Sequence, residues 1–145
     1  MTEIAFHFNA PEPVAYACRL LRKAFNSGAK VVVTGDPITL KHLDAALWAI
    51  SAIDFIPHCL LRGDPRVIAA SPVILTTLTE SAPHKDVLLN LGKRIPEGFE
   101  LFQRVIEVVS LDEQERLSAR ARWMDYKQLG YTLHRHDLAL KEETG

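Results

Sequence analysis

The chain has 145 residues, of which 48% are apolar and 24% charged; 17 Lys and Arg against 18 Asp and Glu leave a net charge of −1. That is the size and composition of one globular domain with a substantial core, and the charge balance excludes a protein built chiefly to grip a phosphate backbone. No apolar run reaches membrane-spanning length, the N-terminus lacks the shape of a signal peptide, and the two cysteines, Cys18 and Cys59, make no disulfide framework, so a cytoplasmic location is expected.

The first half predicts alternating strands and helices. Residues 4–8 form a short apolar strand, and Asn9-Ala10-Pro11-Glu12-Pro13 is a turn that opens a helix, proline being tolerated in the first turn. Val14, Ala17, Cys18, Leu21 and Phe25 recur at helical spacing and mark an inner face. On that face Cys18 reads as a small core residue rather than a reactive thiol. Asn26-Ser27-Gly28 ends the helix, with Gly28 suited to a left-handed cap. Lys30-Val31-Val32-Val33-Thr34 is the β-branched run expected of a strand buried on both faces. Gly35-Asp36-Pro37 leads into the next helix, Asp36 as N-cap and Pro37 as first helical residue. This alternation predicts a three-layer α/β/α domain with a mainly parallel sheet and Rossmann-like topology.

In the second helix Leu40, Leu43, Leu47 and Ile50 make the apolar stripe, whereas Trp48 lies above Asp44 and Lys41 on the polar side. Phe55-Ile56-Pro57 follows in a segment that Pro57 biases toward extended backbone. A single aromatic there would ordinarily pack under a loop of its own chain. Two of them, Trp48 and Phe55, predict an exposed aromatic patch. The middle is less regular. Arg62-Gly63-Asp64-Pro65-Arg66 is a turn and residues 72–78 read as a strand. Residues 86–91 are an apolar run that pattern alone leaves open between strand and helix. Residues 99–102 are a short helical piece and residues 104–109 the last clear strand.

A final helix is predicted over residues 111–129, capped by Ser110 with Glu113 three residues on, and stopped at Gly130. Arg116, Arg120, Trp123 and Lys127 fall on one stripe, and Leu117, Ala121 and Met124 on the neighbouring stripe, which is expected to face the core. Arg116 has Asp112 one turn back; Arg120 and Lys127 have no acid at three or four steps, and Arg116 over Arg120 is a mildly repulsive pair. A charge run of this kind is ordinarily a solvated face. The aromatic in its middle and the missing counter-charges favour a ligand that is both anionic and apolar. Residues 1–136 read as a single domain and residues 137–145 as a mobile charged tail.

Other chemistry is thin. The first strand-to-helix turn has no glycine, the second has only Gly35, no G-K-[ST] occurs, and the Asp36 carboxylate already occupies its helix N-terminus, so no nucleotide phosphate loop is expected. His7, His42, His58, His84, His134 and His136 are scattered without metal-ligand spacing. His58 reads as holding its loop by a hydrogen bond and His134-Arg135-His136 as solvated surface. No nucleophile elbow is present. Neither a catalytic residue, a metal nor a cofactor is expected. A small nucleotide-binding protein or enzyme, and a direct single-stranded DNA binder, are the rival classes.

Leu43-Asp44-Ala45-Ala46-Leu47-Trp48-Ala49 followed by Phe55-Ile56-Pro57-His58 resembles the chi subunit family of bacterial DNA polymerase III, which carries a very similar Leu-Asp-x-Ala-Leu-Trp-Ala and Phe-x-Pro-His. The last helix with Gly130-Tyr131 is the next most specific part, and the resemblance spans nearly the whole chain. It implies that residues 86–91 form a strand. It implies a non-catalytic accessory subunit of the replicative polymerase, bridging the clamp loader, through the psi subunit, to the C-terminal tail of single-stranded-DNA-binding protein (SSB). It places Trp48 and Phe55 on the psi-facing surface, and Val109, Arg116, Arg120 and Trp123 on the SSB-tail surface; Lys127 joins them by its place on the stripe. The family can show Lys at Arg116 and Tyr at Trp123, and the loop over residues 60–71 departs from its pattern.

Overall fold

The computed structural model describes residues 2–49, 57–60 and 65–139. In chain order the elements are β1 (Glu3–Ala10), α1 (Pro13–Asn26), β2 (Val31–Thr34), α2 (Pro37–Ala49), β3 (His58–Leu60), α3 (Pro65–Ala70), β4 (Val73–Leu75), β5 (Val87–Asn90), β6 (Arg104–Ser110), α4 (Glu113–Gln128) and β7 (Leu133–Asp137). Short 3-10 turns occupy Thr79–Ser81 and Phe99–Leu101. The strands lie in the order β3-β4-β2-β5-β6-β1-β7, every neighbouring pair parallel.

Side chains alternate across the strands and divide the core in two. Val31, Val33, Leu89, Ile106 and Val108 meet Ala17 and Leu21 of α1 and Leu40, Leu43 and Leu47 of α2. Ile4, Phe6, Val32, Leu88, Val105 and Val109 meet Ala119 and Tyr126 of α4 on the other face. The result is the expected three-layer α/β/α domain. All four residues of β2 are buried, as its β-branched run required. Asp36 caps α2, its carboxylate accepting from the Thr39 N–H at 2.9 Å. Gly28 takes φ +83 after the end of α1. Phe25, expected on the inner face of α1, is exposed in its last turn.

Two strand expectations change and one holds. The strand expected over residues 72–78 is confined to Val73–Leu75, because the chain turns at Thr76, whose hydroxyl accepts from the Leu78 N–H at 2.8 Å. Residues 86–91 do contain a strand, β5. The strand at residues 104–109 is not the last one: β7 follows α4 and pairs with β1, Ile4 with Leu133 through Phe8 with Asp137. Its sequence, Leu-His-Arg-His-Asp, has one apolar residue because it is an edge strand, and charge there discourages further pairing. Asp137 ends this strand and accepts from Asn9 Nδ2 at 2.8 Å, while Leu138 packs against the core. Asn9 sits at φ 64, where the β1–β6 register shifts; Asn tolerates that conformation better than most residues.

Because β1 lies between β6 and β7, the connection from β6 to β7 must cross it. α4 is that connection, and it therefore lies over the aromatic face of β1.

Candidate functional site

The first turn of α4 is built differently from the sequence expectation. Asp112, not Ser110, is the N-cap, its carboxylate accepting from the Glu115 N–H at 3.1 Å. Ser110 ends β6, accepts from the Asp112 N–H at 3.1 Å and donates to the Glu115 carboxylate. With Asp112 committed to the cap, Arg116 makes no ion pair with it among the described residues.

The inner face of α4 is partly polar. Glu107, on the β6 surface beneath it, is 0% exposed. Its carboxylate accepts from Arg122 Nε at 3.2 Å, Asn90 Nδ2 at 2.9 Å and the Tyr126 hydroxyl at 2.8 Å. Arg122 also donates to the Lys93 carbonyl at 2.9 Å and the Ser118 hydroxyl at 2.7 Å. Burial pushes the Glu107 carboxyl above its ordinary range, against the opposing pull of Arg122. Burial and the neighbouring Glu107 carboxylate likewise raise the Tyr126 hydroxyl.

This network sets the rotation of the helix and overturns one expectation. Leu117, Ala121 and Met124 do not face the core; Leu117 is 51% and Met124 48% exposed. A buried carboxylate needs its cation and hydrogen bonds. Tyr126 fills the core against Phe99 at 5.2 Å and Phe6 at 5.9 Å between ring centroids. Together Arg122 and Tyr126 take the inward positions, and the helical twist of about 100° per residue carries the aliphatic stripe to the far side.

The same rotation places the Arg116, Arg120, Trp123 and Lys127 stripe at the border between helix and sheet. Arg116, Arg120 and Lys127 are exposed and Trp123 is half-buried. Among the described residues none of these three cations has a carboxylate in ion-pair range. The Trp123 ring meets Phe6 edge-on at 5.2 Å and tilts against Phe8 at 6.2 Å. Arg135 of β7 lies 5.3 Å above the Phe8 ring. Phe8 and Arg135 thus extend the cationic and aromatic surface across β1 to the sheet edge, and the sequence reasoning missed both. Phe8 had a signal, being two residues from Phe6 on the same strand face. Arg135 had none while β7 went unrecognised. Val109 is 2% exposed, so it is floor rather than wall. The hollow beside it holds only about 10 Å³, too little for an aromatic ring.

At the opposite edge of the sheet, Trp48 is 53% exposed on the side of α2 away from Leu40, Leu43 and Leu47. Its ring packs 5.0 Å from His58, which begins β3 and is bound through Nε2 to Asp44 of α2 at 3.1 Å. His58 thus makes the expected hydrogen bond, but it ties a strand, not a loop, to the helix. Ile50 and Phe55 lie outside the described residues. Among the described residues no cluster of His, Cys, Asp and Glu could hold a metal, and no helix is long and apolar enough to cross a membrane.

The sequence model of the family described as "DNA polymerase III chi subunit, HolC" matches residues 1–134. The DNA polymerase III subunit chi of Pseudomonas aeruginosa is 34% identical over 143 residues, covering 95% of this chain and 98% of that one. The Escherichia coli subunit of the same name is 29% identical over 119 residues, with 81% and 80% covered. That of Haemophilus influenzae is 27% identical over 119 residues, with 81% of each covered. A family match across nearly the whole chain and a relative of more than 30% identity at nearly full coverage agree: this chain belongs to the DNA polymerase III chi subunit family.

Proposed function

We propose that this protein is a non-catalytic accessory subunit of the DNA polymerase III clamp-loader assembly and links it to the C-terminal tail of SSB. The observation that carries the reading is the α4 stripe. Three exposed cations, without an acidic partner among the described residues, flank a half-buried tryptophan backed by Phe8 and Arg135. An acidic tail ending in Pro-Phe requires a cation for its terminal carboxylate, an apolar surface for its ring and outlying positive charge for its aspartates. Arg120 suits the carboxylate, since a planar guanidinium binds it through two parallel hydrogen bonds. Trp123, with Phe8 beside it, suits the ring. Arg116, Lys127 and Arg135 suit the aspartates. In this reading the α4 surface meets DNA through SSB rather than directly. The protein should capture intact SSB in a pull-down and lose it when the SSB tail is removed; equal capture of both would sink the reading.

The second partner in this proposal is psi, or an equivalent, on the Trp48 and Phe55 surface. The support is placement. Trp48 stands beside β3 and the α4 stripe beside β7, at opposite edges of a sheet about 29 Å across, so two partners can be held at once. Truncating an aromatic at an interface centre commonly costs about 2 kcal/mol or more. Trp48→Ala and Phe55→Ala should each abolish capture of psi while the melting temperature stays close to wild type. Unfolding of both variants would make these rings structural instead.

A further inference from the structure

On the face opposite α4, a cleft of about 660 Å³ lies between α1 and the sheet. Topology makes it. α1 carries the chain from β1 across β6 and β5 to β2 and packs on α2, which leaves a trough along its edge toward β7. The volume lies within the range of small-molecule sites.

Two kinds of surface meet in the cleft. Leu20, Ala24 and Val87 line it and stay only partly buried, next to the floor residue Ile106. Arg19, Lys23 and Arg104 line it and are exposed. Arg104 neighbours Glu3 in the strand register, yet among the described residues no carboxylate comes within 4.0 Å of Arg19, Lys23 or Arg104. The acid on the lining, Asp137, is committed to Asn9 at 2.8 Å and to Arg135 at 3.9 Å. The half-buried Tyr16 and the exposed His136 ring both contact His7, adding hydrogen-bonding aromatic groups.

We propose that this cleft binds a nucleoside phosphate, its base against the apolar wall and its phosphate among Arg19, Lys23 and Arg104. Arg19, Lys23 and Arg104, on a cavity whose lining also includes Arg135, suit a doubly charged phosphate better than a single carboxylate. A flat heteroaromatic ring suits a wall that is part aliphatic and part aromatic. The phosphate is gripped by side chains, which is consistent with a sequence that has no glycine-rich phosphate loop. The same chemistry is offered by a free mononucleotide and by the phosphorylated end of a DNA strand. The site shares Arg135 on its lining with the α4 surface, while Arg19, Lys23 and Arg104 stand apart from α4.

The test is calorimetry and amide-shift mapping on the full chain with three probes: thymidine monophosphate, thymidine, and 5′-phosphorylated pentathymidylate. The monophosphate or the oligonucleotide should bind saturably and shift the amides of Tyr16, Ala24 and Ile106. Thymidine should bind at least about tenfold more weakly. Lys23→Glu combined with Arg104→Glu, both exposed, should cut the phosphate-dependent binding at least about tenfold at unchanged melting temperature. The tighter of the two phosphorylated probes identifies the source. Absence of saturable binding, equal binding of thymidine and its phosphate, indifference to the charge reversal, or shifts confined to α4 would each overturn the proposal.

Discussion

Arg120→Ala should weaken binding of an acidic peptide ending in Pro-Phe by about 10- to 100-fold, in a protein that folds as well as wild type. The range follows from the roughly 1.5–3 kcal/mol that a charged hydrogen-bonding group contributes when it meets its partner. Arg120 is exposed and has no ion-pair partner among the described residues, so its removal leaves nothing buried unsatisfied. Arg116→Ala should cost less, because an outlying cation acts through a screened field, and its effect should fade as salt rises from low to physiological. Calorimetric titration of each variant gives both comparisons. Unchanged affinity in folded Arg120→Ala would leave the stripe as an ordinary solvated face.

Arg122→Met should destabilise the fold by about 3 kcal/mol or more, because it strands the Glu107 carboxylate, 0% exposed, without its cation. The loss should depend on pH in a defined direction. Burial raises the folded Glu107 carboxyl above the unfolded value of about 4.3. The associated stability is fully present below the unfolded value and is lost as pH rises through the folded one. Removing Arg122 removes the main opposing influence and raises the folded value further. The variant's deficit should therefore be smallest at low pH, where Glu107 is protonated in both proteins, and widen as pH rises through the raised folded value of the wild type. Replacing the pair together, Glu107→Leu with Arg122→Met, should recover much of the stability. Denaturant melts across pH decide the matter: a deficit independent of pH, or a double variant no better than the single, would mean that the pair does not set the packing of α4.

That buried pair also explains where sequence reasoning stopped. Local chemistry made much of the fold legible. The β-branched run of β2, the Asp36 cap and the split of Leu40, Leu43 and Leu47 from Trp48 are each decided within a few residues. The rotation of α4 is not. Leu117, Ala121 and Met124 look like a core stripe, and Arg122 and Tyr126 go inward because Glu107, 15 and 19 residues away, waits beneath them. No periodicity within the helix reports a partner on another element. The edge strand β7 was hidden for a related reason: its pairing is with β1, at the far end of the chain, and its side chains carry the polarity of an edge. With β7 unseen, Arg135 stayed out of the site. The Arg116, Arg120, Trp123 and Lys127 stripe was legible in full, since helical spacing alone groups it. Its depth was not: Val109 is floor, and Phe8 completes the aromatic surface.

The central claim, that α4 receives an acidic C-terminal tail, is tested most directly by titrating the full chain with the SSB tail peptide and with the same peptide lacking its final Phe, while following backbone amide shifts. The account predicts saturable binding of the complete peptide with shifts at Arg120, Trp123 and Phe8, and poor binding of the shortened one. Equal affinity for the two peptides, or shifts that bypass α4, would contradict it.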